Sequence, residues 1–330
     1  MKIDVHSHFY PAAYLDELRR GGAAASVEVR PNGDYVVRYE GDYNIVTPKQ
    51  RDLKERLQVL DAAGIDRQVL SLMTPGVQLE SEDRGVYLAE LVNEAFAAIC
   101  AAYPGRFLAL AALPLQKPEA AAAELERAVS KLGLSGGLLF TNVRGKTLDD
   151  PSFACVLQTA RRLDVPLLIH PMTPQPADAY RDYRLVATLG FPFDTTISVA
   201  RLIFGGVLDR VEGVKIIVPH LGGCLPYLAE RLDRGHSVFA ECRGIRRKPS
   251  EYIKDLYFDC VHFDPAVVAF VAAYMGPRQI MLGSDYPAQV GDIAKCARIV
   301  DELGLDEREK ELISAGNARR LFRVREAESS

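Results

Sequence analysis

Basic residues are not in excess in this chain: 40 lysines and arginines face 44 aspartates and glutamates, a formal net charge of -4 over 330 residues. Without a positive field there is little to hold a phosphate backbone, so nucleic acid is not an expected partner. The one basic run, Arg243, Arg246, Arg247 and Lys248, reads as a solvated loop. Cysteine is sparse. Cys100, Cys155, Cys224, Cys242, Cys260 and Cys296 form no CxxC pair and no disulfide framework, which implies buried free thiols in a reducing compartment. No apolar run reaches about 18 residues. The chain opens directly on a strand-like stretch, Lys2 to His6, leaving no room for the charged and apolar regions of a secretory leader. The expectation is a cytoplasmic protein that does not enter a membrane.

What is present is the balance of a soluble globular protein, 48% apolar and 25% charged. Eight short β-branched or aliphatic runs recur: Ile3 to His8, Gln68 to Met73, Phe107 to Leu113, Gly137 to Thr141, Pro166 to His170, Val214 to His220, Leu256 to Val261 and Gln279 to Asp285. Segments of helical periodicity separate them, among them Leu53 to Leu60 stopped at Gly64, Asp83 to Ala102 and Thr195 to Leu208. A terminal helix starts at Asp306, with Glu309 completing a capping box. Eight nearly all-apolar strands alternating with helices predict an α/β fold, a (β/α)8 TIM barrel spanning residues 1–330 as a single domain. An open doubly wound sheet would carry a glycine-rich first turn, which His6-Ser7-His8 is not. Residues 9–49 interrupt the repeat. There Ser26 to Val29 and Tyr35 to Tyr39 flank Pro31-Asn32-Gly33-Asp34, a small β-hairpin insertion after strand one that would lie over the barrel mouth as a lid or subunit contact.

Four of only six histidines fall at the carboxyl ends of predicted strands, where barrel active sites are built. His6 and His8 are two apart on strand one, so the strand period points both rings to one side. His170 ends strand five, His220 ends strand six and Asp285 ends strand eight. Singly each is a weak signal; together they place metal-competent side chains on one rim. Three imidazoles and a carboxylate suit Zn²⁺ first, and also Mn²⁺, Fe²⁺ or Co²⁺, with a position left for water. A divalent ion lowers the pKa of that water toward about 7. His220 is the natural base, and Asp285 both ligates and relays a proton. Strand four ends at Thr141-Asn142 with no lysine to carry a bridging carboxylate, so one metal ion is expected.

The set His6-x-His8, His170, Pro219-His220-Leu-Gly-Gly, Gly283-Ser-Asp285-Tyr-Pro and Gly316-Asn-Ala-Arg-Arg-Leu-Phe322 resembles the amidohydrolase superfamily, in the branch typified by aminocarboxymuconate-semialdehyde decarboxylase. Leu148-Asp-Asp-Pro151 and Gly190-Phe-Pro-Phe-Asp-Thr-Thr-Ile197 also look familial. The resemblance implies His6, His8, His170 and Asp285 as metal ligands and His220 as the acid/base group. It further implies that Arg231 binds a substrate carboxylate, reaching a neighbouring subunit's pocket in a homodimer; the bland alternative is a surface arginine pairing with Glu230 or Asp233. Two departures concern the substrate: Met172-Thr173 and Ala288 stand where the branch carries tryptophan and an aromatic residue, and the chain has no tryptophan at all. A second substrate arginine is not clearly matched, with Arg51 and Arg56 the nearest. The implied activity is metal-dependent non-oxidative decarboxylation of a small unsaturated or aromatic carboxylic acid, with metal-bound water activated by His220. Hydrolysis of a lactone or amide at the same site is the alternative, and a non-catalytic metal-binding barrel is a third reading.

Overall fold

The computed structural model describes residues 1–22, 24–174 and 176–324. Eight strand positions pair in parallel in chain order: Ile3–Phe9, Arg67–Leu72, Phe107–Ala109 continued by Ala111–Ala112, Gly137–Phe140, Pro166–His170, Lys215–Val218, Tyr257–Asp259 and Ile280–Met281. Strand three changes partner at Leu110, whose N–H donates to Leu70 O while Ala111 N–H donates to Gly136 O. Strand eight returns to strand one through a parallel bridge between Ser7 and Tyr286, with Val5 N donating to Leu282 O and Asp285 N to His6 O, both at 2.9 Å. Closure leaves the barrel strands without an edge and puts a core of Val, Ile and Leu inside a ring of helices.

The helices form where caps and apolar faces coincide. Asp52 accepts from Lys54 N and Glu55 N to start Leu53–Ala63, which stops at Gly64. Asp306 and Glu309 make the reciprocal capping box at Glu307–Glu311. Helix Glu82–Ala102 is long and apolar enough to cross a membrane by length and composition. Here it buries Leu88, Val92 and Phe96 and packs on strand three. Asn317, in the closing motif, donates to Pro277 O and Ile280 O at 2.7 Å each and so pins the last helix to the foot of strand eight. The helix expected at Thr195 to Leu208 instead runs Phe191–Phe204 after a π-helical turn, Val186–Gly190, because Pro192 is tolerated in a first turn. Leu208 falls in a separate short turn, Val207–Arg210.

The insertion is larger than a hairpin. Helix Ala12–Arg19 precedes the antiparallel pair Ser26–Val29 and Tyr35–Tyr39, and a third strand, Asp42–Val46, follows through a tight turn in which Gly41 has φ +81°. That strand was hidden by its polar positions. Asn44 turns inward and satisfies itself on Thr74 O and Tyr10 OH, so a buried polar residue sits where alternation would call for an apolar one.

Candidate metal centre

Four ligand-type side chains meet at the carboxyl end of the barrel. One donor atom from each of His6, His8, His170 and Asp285 lies within 4.8 Å of the others, and all four residues are buried. His6 Nε2 is 3.2 Å from His8 Nε2, and Asp285 Oδ1 is 3.1 Å from His8 Nε2 and 3.6 Å from His6 Nε2. Donors bound at about 2.0–2.2 Å to one ion stand about 3 Å apart at a right angle and about 3.4 Å apart at the tetrahedral angle. The spacing therefore fits a single centre.

The tautomers fit it too, because each imidazole has its Nδ1 committed elsewhere. His170 Nδ1 lies 2.8 Å from the Pro171 carbonyl and must donate to it. Ser71 Oγ spends its proton on Ser7 O at 2.9 Å, so at 3.0 Å from His8 Nδ1 it accepts. His6 Nδ1 is 2.6 Å from the Asp259 carboxylate. Every Nδ1 thus carries the hydrogen, and every Nε2 lone pair is left to face the centre. As bare lone pairs the Nε2 atoms of His6 and His8, 3.2 Å apart in a buried place, would repel; a hydrogen on His6 or a cation between them relieves this.

Charge follows the same pattern. Burial holds His170 well below the usual imidazole range and His8 at about 4, so both stay neutral donors. His6 is the exception: burial opposes its charge, but the bond to Asp259 and its charge outweigh that and place His6 at about 9, so its Nε2 hydrogen is one that a bound ion displaces. Burial alone would raise Asp285; the facing imidazoles of His220, His8 and His6 overcome it and keep the carboxyl well below its normal value. An ionised carboxylate among three imidazoles is a donor set for a divalent ion.

His220 stands beside this group and differs from it. Its Nε2 is 3.9 Å from Asp285 Oδ2, while its Nδ1 is buried with no hydrogen-bond partner. His220 and Leu221 both have left-handed φ, +54° and +53°, as does Asp285 at +54°. Non-glycine residues there cost on the order of 1–3 kcal/mol each and persist where the surroundings over-determine them.

A cavity of about 590 Å³ opens above the group. His8, His170, His220 and Asp285 reach its floor, Tyr43 and Ile45 of the insertion form one wall, and Phe191, Phe193 and Phe263 supply aromatic surface. Ala288 lines it and leaves room where a larger side chain would intrude; His262 lines it as well. Arg184 is the one arginine on its lining among the described residues. Its Nη1 is 2.8 Å from Asp42 Oδ1 and its guanidinium lies 4.5 Å from the Tyr43 ring centroid.

The arginines that the sequence points to, Arg51, Arg56 and Arg231, do not line this cavity. Arg56 is fully buried and donates to Gln68 and to the His8 carbonyl, bracing the strand that carries the histidines. Arg51 donates to Gly33 O inside the insertion. Arg231 is exposed on helix Leu225–Val238 and does not line the cavity of its own chain. Met172 and Thr173 also lie off the cavity, and His236 is half-buried on the same helix as Arg231. The partners Ser71 and Asp259 were missed, since a lone polar residue in an apolar strand carries no motif; burial at 1% and 0% is what marks them.

The family model described as Amidohydrolase matches residues 3–324, and the chain belongs to the amidohydrolase family. Within it the chain is similar to decarboxylases. The 2-amino-3-carboxymuconate-6-semialdehyde decarboxylase of Dictyostelium discoideum is 29% identical over 325 residues, covering 96% of this chain and 90% of the relative. The crystal structure of 5-carboxyvanillate decarboxylase from Sphingomonas paucimobilis superposes with a TM-score of 0.88 at 28% identity, covering 98% of this chain and 99% of that one. A dihydroxybenzoic acid decarboxylase from Polaromonas sp. JS666, with bound manganese and the inhibitor 2-nitroresorcinol, gives 0.80 at 27% identity, covering 99% and 98%. Donor set and relatives together support one divalent metal ion in this fold.

Proposed function

We propose that this protein is a metal-dependent non-oxidative decarboxylase of a small aromatic carboxylic acid. His6, His8, His170 and Asp285 hold the ion, which is Zn²⁺ by the chemistry of the donors or Mn²⁺ by likeness to the relatives. The observation that carries the reading is the convergence of three imidazole lone pairs and an ionised carboxylate on the floor of an aromatic-walled cavity, with a fifth titratable side chain beside them.

When bound there, a divalent ion supplies a fixed positive charge that draws and orients the substrate's oxygens. The protein's own groups do the rest. Phe191 and Phe263 flank a planar ring and exclude water from it. His220 Nε2 faces Asp285 Oδ2, so a proton held between them is aimed at the ring carbon over the floor. The bond from that carbon to the carboxylate breaks, its electron pair stays on the carbon, and the carbon takes the proton as CO₂ leaves. Arg184 meets the end of the substrate farther from the floor. Arg231 serves the cavity of a second copy in a homodimer, which light scattering tests by reading a particle of two chains. All six cysteines are unpaired, in keeping with the proposed cytoplasmic location.

Purified protein loaded with Zn²⁺ or Mn²⁺ is offered hydroxybenzoates, their methoxy relatives and carboxymuconates while CO₂ is measured. Release from at least one of them is expected. Acidification without CO₂ when lactones are supplied, or release of an amine without CO₂ when amides are supplied, would transfer the activity to hydrolysis and overturn the proposal.

A further inference from the structure

Asp259 sits on strand seven, yet its side chain reaches His6 on strand one, with the whole of strand eight between them. The crossing is possible because residue 283, just past strand eight, is glycine. A Cβ built there would fall 2.6 Å from Asp259 Cβ and 3.2 Å from His6 Cβ. The glycine of Gly283-Ser284-Asp285 thus has a steric purpose: it lets one carboxylate pass over strand eight.

The two oxygens of that carboxylate do different things. Oδ2 accepts from His6 Nδ1 at 2.6 Å. Oδ1 accepts from Leu221 N at 3.1 Å and from Val261 N at 3.0 Å. Leu221 is the second of two successive non-glycine residues with left-handed φ, and the first is His220. The bond to Leu221 N therefore holds the peptide that sets where the His220 ring stands. Asp259 is fully buried and all of these partners are within the barrel, so its carboxylate is fixed at both ends.

We infer that Asp259 is a positioning residue that joins the metal site to the acid/base histidine, fixing the tautomer of His6 through one oxygen and the placement of His220 through the other. The inference rests on the reading of His6 as a ligand. Asn at 259 separates the two arms. With its Oδ1 kept on the backbone N–H groups of Leu221 and Val261, its NH₂ faces His6 Nδ1. The ring must then accept there and carry its hydrogen on Nε2, the atom aimed at the ion. The flipped amide leaves NH₂ facing two N–H donors.

The test measures Zn²⁺ affinity by chelator competition, turnover at saturating Zn²⁺, and the proton spectrum of the zinc-loaded protein. Wild type is expected to show a downfield, slowly exchanging imidazole N–H from the His6–Asp259 bond. Asp259→Asn loses that signal and binds Zn²⁺ about 10–100-fold more weakly, while its turnover at saturation falls less than that of Asp259→Ala because the Leu221 arm survives. Asp259→Ala loses both arms, so its turnover at saturation falls at least about tenfold as well. If Asp259→Ala does not fold, the affinity and the proton signal of Asp259→Asn still decide the matter. Unchanged Zn²⁺ affinity in Asp259→Asn, or unchanged saturated turnover in a folded Asp259→Ala, overturns the inference. Wild-type protein that binds no Zn²⁺ would instead sink the metal reading itself.

Discussion

The three imidazoles that face the ion site and the fourth beside them are built on opposite plans. His6, His8 and His170 each have Nδ1 tied to a dedicated acceptor, Asp259, Ser71 and the Pro171 carbonyl. His220 has a buried Nδ1 with no partner and a strained backbone. A tethered ring holds one tautomer and one orientation, which a metal ligand needs. A ring whose Nδ1 has no partner is not held to one tautomer, which proton transfer needs. The difference separates holding from reacting among residues of a single type.

The most damaging way to attack the comparison is to remove a holder. Asp285→Ala is expected to abolish CO₂ release by at least roughly a thousandfold, because several kcal/mol of charge stabilisation are lost with the ion. Removing the reactive ring instead leaves the ion in place. His220→Asn should bind metal like wild type in a chelator competition while kcat falls about 10²–10⁴-fold. A His220 variant that lost the ion would show that the fourth ring is also a holder.

Smaller effects sharpen the picture. Ser71→Ala unties His8 Nδ1 without touching the donor atom, and metal affinity should weaken about tenfold with kcat at saturating metal little changed. Arg184→Gln tests the far wall. Its guanidinium is 40% exposed beside Asp42, so the pair should contribute under about 1 kcal/mol to stability. KM should rise about three- to tenfold for substrates with a polar group at the far end, and a thermal melt would show the fold intact.

The contrast between holder and reactor also marks how far the sequence could be read. The strand period and the strand-end placement of His6, His8, His170, His220 and Asp285 need only local geometry, and the structure brings all five to one rim. The eight strands were legible for the same reason, each being an apolar run bounded by turns. What supports the histidines was not. Asp259 reaches His6 across 253 residues and over an intervening strand, a contact fixed by how the closed barrel staggers its strands. Arg184 meets Asp42 across 142 residues, joining the segment after strand five to the insertion. The third insertion strand was obscured by Asn44, whose burial is balanced by hydrogen bonds that a pattern of apolar and polar letters does not reveal.

Metal stoichiometry measured by mass spectrometry on three proteins, after loading and removal of free ion, tests the central claim most directly. One divalent ion per chain is predicted for wild type and for His220→Ala, and none for His8→Ala. A wild type that retains no ion, or a His8→Ala protein that keeps a full one, would contradict the account.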